Sequence, residues 1–127
     1  MSTISAANIS DGTDTVGTGY VVNGSAKVWI NYNAILNPAV IRDSLNVSSL
    51  SDIGVGTAQI TYSSSLTGEF SNIIACSQSG RSVTQRSMAY DSATASSFIM
   101  GTYRDAGSTQ VANDNALNDA MVFGDLA

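Results

Sequence analysis

The chain contains no histidine. Without an imidazole, neither a Ser-His-acid nor a Cys-His nucleophile can be assembled, and no imidazole metal site exists, which removes the commonest hydrolases. Cysteine occurs once, at Cys76, so no internal disulfide can form. Cys76 ends the apolar run Ile73-Ile-Ala-Cys76 and has no base nearby in sequence to activate it, so it reads as a small buried hydrophobe. Charge is scarce too: 12% of the 127 residues are charged, where about 25% is usual. Cations are scarcest of all, with five Lys and Arg against ten Asp and Glu and a net charge of −5. Nucleic acids and anionic membranes are bound by clustered cations that replace counterions, so neither is expected as a partner. No apolar run approaches the roughly 18 residues of a membrane span, so no membrane insertion is expected. The N-terminus, Met1-Ser-Thr-Ile-Ser-Ala-Ala7, lacks the basic start and apolar centre of a secretion signal, which predicts synthesis and folding in a cytoplasm.

What is present is apolar content of 43% beside a surface of Ser, Thr, Asn and Gly. Such a surface solvates the chain without repelling neighbours, and so permits close association of copies. A chain of this length forms one domain and buries roughly two-thirds of its extended surface. The clearest period lies in residues 26–32, where Ala26, Val28, Ile30 and Tyr32 alternate with Lys27, Trp29 and Asn31. A repeat of two belongs to a strand with one core face.

Residues 1–22 are polar, Gly-rich and almost free of large apolar side chains before Tyr20, so they are expected to form an extended N-terminal arm, ordered only where it lies on another surface. Residues 23–127 are expected to form the folded domain. Further strands are predicted at residues 40–47, 57–63, 72–77, 97–104 and 119–124, with a short one at 87–90 and turns at 48–56 and 105–108. The near-continuous apolar run of 72–77 predicts a strand covered on both faces. No window has sustained helical spacing, and Gly17-Thr-Gly19 has no predicted helix behind it. The reading is all-β, an antiparallel β-sandwich or barrel.

No chemistry emerges from the polar residues. Asp11, Asp14, Asp52 and Asp105 sit in Gly-containing turns, where Asp ordinarily bonds the local backbone. Asp11-Gly-Thr-Asp14 and Asn113-Asp-Asn115 fall short of a calcium loop's ligand density and read as loop caps. No catalytic, metal or cofactor residues are assigned. Two features point outward instead. Adjacent Arg42 and Asp43 on one strand face opposite ways unless a bulge intervenes, which calls for an ion pair with a neighbouring strand or a contact across a subunit boundary. Trp29, opposite the Val28 and Ile30 face, needs either a second sheet or another copy of the chain against it. Lys27, Trp29, Arg42 and Asp43 are therefore the candidate subunit interface.

Ile9-Ser-Asp-Gly-Thr-Asp-Thr-Val16, Tyr20-Val-Val-Asn-Gly-Ser-Ala-Lys-Val-Trp-Ile-Asn-Tyr-Asn33, Ile41-Arg-Asp-Ser-Leu-Asn-Val-Ser-Ser-Leu-Ser-Asp52 and Val122-Phe-Gly-Asp125 together resemble a module recurrent in tailed-bacteriophage virion proteins, met most often at the distal end of tail-fibre and tail-spike chains. The resemblance fades across residues 68–95, and residues 34–39 and 53–56 depart from its pattern. It implies a jelly-roll-like sandwich assembling as a homotrimer. It also implies a non-enzymatic virion protein, of tail-fibre or tail-tip type, that attaches to the host surface. On that reading the loop of residues 78–95 faces the receptor, a surface glycan, with Arg81 and Arg86 as donors and Tyr90 as a stacking ring. Because the module stands almost alone, a second expectation is a capsid decoration or tail adaptor docked on other virion proteins through the N-terminal arm, without receptor binding.

Overall fold

A computed structural model describes residues 4–68, 73–79, 86–106 and 109–127. In chain order the elements are β1 (Asn8–Ser10), β2 (Thr15–Gly17), α1 (Thr18–Gly24), β3 (Val28–Asn33), β4 (Val40–Leu45) and β5 (Val47–Gly54). They continue with β6 (Thr57–Tyr62), β7 (Ile73–Ser79), β8 (Arg86–Ala93), β9 (Ser97–Ala106), β10 (Thr109–Ala112) and β11 (Leu117–Phe123). Among the described residues the protein is all-β apart from one short helix, and every strand pairing is antiparallel.

Four strands form one sheet in the order β4-β3-β11-β7. A second sheet runs β10-β9-β6-β5, with β8 also paired to β9. Alternation decides which side chains point inward. Val28, Ile30 and Tyr32 from β3, with Ala120 and Val122 from β11, join Ala58, Ile60 and Tyr62 from β6 and Phe98 and Met100 from β9 in one buried cluster. Each large aliphatic or aromatic member contributes about 1.5–3 kcal/mol by leaving water. Sheet edges also meet: the Cys76 thiol of β7 donates to the Met88 carbonyl of β8 at 3.5 Å.

The chain crosses from the first sheet to the second at Asn46, a left-handed residue with φ of 56°. Its amide side chain holds the corner, because Oδ1 accepts from Ser64 N at 2.7 Å and Nδ2 donates to Ser64 O at 3.0 Å. This corner corrects the expected strand at 40–47 and turn at 48–56. Residues 47–54 are β5, the hairpin partner of β6, and β4 pairs with β3 instead. β5 escapes recognition because it is Ser-rich and mostly exposed, so only Leu50 and Val47 report its inner side.

Three further expectations differ. Residues 8–17 form a hairpin and Thr18–Gly24 a helix that buries none of its residues, where extended chain is expected. Ala75 and Ser77 on β7 are exposed, so this strand is covered on one face only. Most of the unpatterned stretch 78–95 is strand, with β8 pairing along β9 from Arg86 to Ala93.

Candidate functional surface

The outer face of the four-stranded sheet carries the residues left over from the core. Cross-strand register sets Trp29 between Leu45 of β4 and Met121 of β11, and Met121 beside Ala75 of β7. Opposed residues on an antiparallel pair share a face, so these four side chains form one apolar row across the sheet. Leu45 is 47% exposed and Met121 49%, while Trp29 is half-buried between them. The second sheet packs on the opposite, Val28–Ile30–Tyr32 side. Of the two covers that Trp29 calls for, the second sheet is thus not the one.

A polar row runs alongside. Asn31 Nδ2 donates to Asp119 Oδ1 at 2.5 Å, and Asn31 Oδ1 accepts from Arg42 Nη1 at 3.5 Å. Asn31 pairs with Asp43, but Tyr32 pairs with Ile41, so Arg42 is the extra residue of a β-bulge. A bulge sets two residues against one and breaks strict alternation, which lets both Arg42 and Asp43 lie exposed. Neither charge is buried, and among the described residues Arg42 meets no carboxylate in an ion pair. Asp43 caps its own strand locally through Ser44 N at 2.9 Å.

Lys27 lies at the end of this face. Its Nζ donates to the Val22 carbonyl, to Ser25 O at 2.6 Å and to Ser25 Oγ at 2.9 Å. A cation on the last carbonyls of a helix satisfies orphan acceptors and complements the helix dipole. It therefore ties the C-terminal end of α1 to the start of β3. A hollow of about 610 Å³ opens beside α1, lined by Gly17, Gly19, Tyr20, Asn23 and Gly24. A smaller one of about 150 Å³ lies between β7 and β11, lined in part by Ala75, Ser77, Asp119 and Met121.

Of the candidate receptor-facing residues, Arg86 and Tyr90 lie on strand β8. Arg81 lies outside the described residues. Arg86 pairs through its backbone with Arg104, and Tyr90, 55% exposed, lies farther along the same strand β8. The pairing of β8 with β9 has a register irregularity between Tyr90 and Ser92.

The titratable groups do structural work. Asp11 Oδ1 accepts from Thr13 N at 2.9 Å and Asp14 N at 2.8 Å, and these bonds hold its carboxyl below its usual range. Asp52 accepts from Gly54 N at 3.1 Å and Asp114 from Gly56 N at 2.6 Å. These are the loop-capping roles that turn chemistry predicts. Burial pushes up the Cys76 thiol, and burial followed by the neighbouring Cys76 pushes up the Tyr32 phenol. Among the described residues, no three acidic or thiol side chains gather where they could share a metal ion.

Sequence reasoning singles out Trp29, Lys27, Arg42 and Asp43 as candidates and does not single out Leu45 or Met121, which share a face with Trp29. Leu45 and Met121 become visible only once register places them beside Trp29. No protein-family model, curated protein or solved structure matches the chain.

Proposed function

We propose that this is a non-enzymatic structural protein of a bacteriophage particle, a tail-fibre or tail-tip type module that assembles as a homotrimer of β-sandwich subunits and attaches to the host surface. The observation that carries the reading is the solvent-facing row of Leu45, Trp29 and Met121, on a sheet whose other face is already core. A sheet needs one apolar face to fold, and a second is the signature of a contact with another chain. The residues that resemble the virion module, 20–33 and 41–52, include Trp29 and Leu45 of this face, the Arg42 bulge and the Asn46 corner.

Host attachment is tested with purified protein on host cells. Binding should be saturable, and Arg81→Ala with Arg86→Ala should abolish it while the circular dichroism spectrum is unchanged. Undiminished binding by that variant removes Arg81 and Arg86 from the receptor site. A second reading, a capsid decoration or tail adaptor, is favoured by the helix at the end of the arm, none of whose residues is buried. On that reading, removal of residues 1–22 prevents incorporation into particles, and the intact protein has no affinity for cells. Immunogold labelling of virions carrying the protein separates the two by position.

A further inference from the structure

We propose that helix α1 of one copy docks on the outer sheet face of a neighbouring copy, over the row formed by Leu45, Trp29 and Met121, so that subunits are joined by exchanged arms. This inference rests on the reading of the protein as a self-assembling one and names the segment that makes the contact.

The first support is the helix itself. It has seven residues, no side-chain cap, and Gly19, Val21 and Val22 among its members. Glycine and β-branched residues disfavour helix, and isolated helices of fewer than about 12 residues are marginal in water. Only burial of its side chains can hold it, and its own chain buries none of them: Tyr20 is 77% exposed, Val22 58% and Val21 42%. At 100° per residue, Tyr20, Val21 and Val22 span about 200° of the helix circumference. A helix apolar over so wide an arc belongs between surfaces.

The second support is the face. Trp, Met and Arg are the side chains enriched at protein contacts, and an apolar centre with a polar rim is their usual arrangement. Here Trp29, Met121 and Leu45 form the centre, while Arg42, Asn31 and Asp119 form the rim. Charge matches as well. Residues 1–24 carry Asp11 and Asp14 and no Lys or Arg, while Arg42 is exposed and, among the described residues, in no ion pair.

The third support is their connection. Lys27 fixes the end of α1 at the start of β3, the strand that carries Trp29. Helix and row are thus held in one relation in every copy. A helix placed on the next copy's row leaves that copy's helix free for another, a head-to-tail contact that closes into a ring when the rotation permits.

Trp29, the sole tryptophan, lies at the proposed contact and reports on it. The full-length protein is compared with Val22→Asp and Met121→Lys by sedimentation and by tryptophan emission. Both substituted side chains are exposed, so secondary structure should persist. Each variant should raise the dissociation constant of the oligomer at least about thirtyfold, the factor that corresponds to loss of an interface hot spot. Each should also shift Trp29 emission to the red, and the double variant, with Asp facing Lys, should recover part of the affinity. An oligomer that survives Val22→Asp overturns the arm contact while leaving self-assembly in place. Dissociation by Val22→Asp but not by Met121→Lys means that the helix docks elsewhere and also overturns it. A wild-type monomer at micromolar concentration overturns both the contact and the assembly reading.

Discussion

Gly56→Ala should be among the most destabilising single substitutions in this protein. Gly56 has a φ of 68°, the left-handed region, and a Cβ built there comes within 2.5 Å of both Asn113 N and Thr102 O. Neither atom is free to retreat. Thr102 N donates to Gly56 O at 2.7 Å and Asn113 N to Thr102 O at 3.0 Å. Gly56 N donates to the Asp114 carboxylate at 2.6 Å. The turn between β5 and β6 is therefore stitched to the exit of β10, and a methyl group must break some of the stitching. The left-handed conformation costs an alanine about 1–2 kcal/mol. Losing one backbone bond adds about 0.5–1.5 kcal/mol, and losing the bond to a charged acceptor about 1.5–3. The sum is about 3–6 kcal/mol, a large part of the roughly 5–15 kcal/mol that holds a domain together. Urea unfolding followed by Trp29 emission, at matched protein concentration, measures it. Gly24→Ala is the control, since nothing lies within 4 Å of a Cβ there and its φ is not positive; it should shift stability by less than about 0.5 kcal/mol. A Gly56→Ala midpoint within about 1 kcal/mol of wild type would refute the argument that this turn is closed to a side chain.

Asn46→Gly should cost about 1–2 kcal/mol by releasing both bonds to Ser64, while Asn46→Ala should cost about 1 kcal/mol more because it also strains the left-handed corner. If alanine proves no worse than glycine by chemical unfolding, the corner's backbone is not what demands asparagine. Tyr62→Phe should be neutral or stabilising, because the buried Tyr62 hydroxyl has no hydrogen-bond partner among the described residues and its ring keeps the contact with Phe98 at 5.9 Å. Burial pushes the Tyr62 phenol up from 10.0 to about 12. The folded state therefore favours the neutral form, and its contribution is present below pH 10 and lost as pH rises toward 12. Denaturant midpoints measured across that window should fall for wild type and fall less for Tyr62→Phe.

What was legible in the sequence follows from burial asymmetry. β3 and β6 alternate cleanly because one face is sealed and the other is wet, so Val28-Ile30-Tyr32 and Ala58-Ile60-Tyr62 declare their side directly. β11 reads equally well, with Ala120 and Val122 buried and Met121 exposed. β5 and β8 are largely wet on both faces, so they carry no alternation to read. The hairpin of β1 and β2 has its turn signal in Asp11-Gly12, where φ reaches 99°, but flanking strands of three residues give a period nothing to repeat over. The helix runs against its own composition, as segments do when contacts outside their local sequence decide their structure. Of the candidate surface, Trp29 was legible because a lone large ring on the polar side of a strand is an anomaly. Leu45 and Met121 are distant in sequence, and only strand register unites them with it.

The stretches that resemble the virion module coincide with positions where the backbone departs from a plain strand. Lys27 closes the helix, Arg42 is the bulge residue, and Asn46 turns the corner between sheets. Each is constrained by geometry: a cation must reach the last helix carbonyls, a bulge must release a charge to solvent, and a left-handed corner accepts asparagine with little strain. On the proposed reading, a resemblance written in such residues bears on architecture more than on a receptor. The region where the resemblance fades, residues 68–95, includes β8 and the exposed Tyr90. Met88 and Ala93 of this strand pack against the core while Tyr90 does not, so on the proposed reading substitutions at the exposed positions alter adhesion without disturbing the corner, the bulge or the arm. Exchanging residues 80–91 with those of another such chain should accordingly transfer cell preference while leaving the oligomer's mass unchanged. A swap that alters the mass and leaves adhesion unmoved would place both functions on the wrong parts of the molecule.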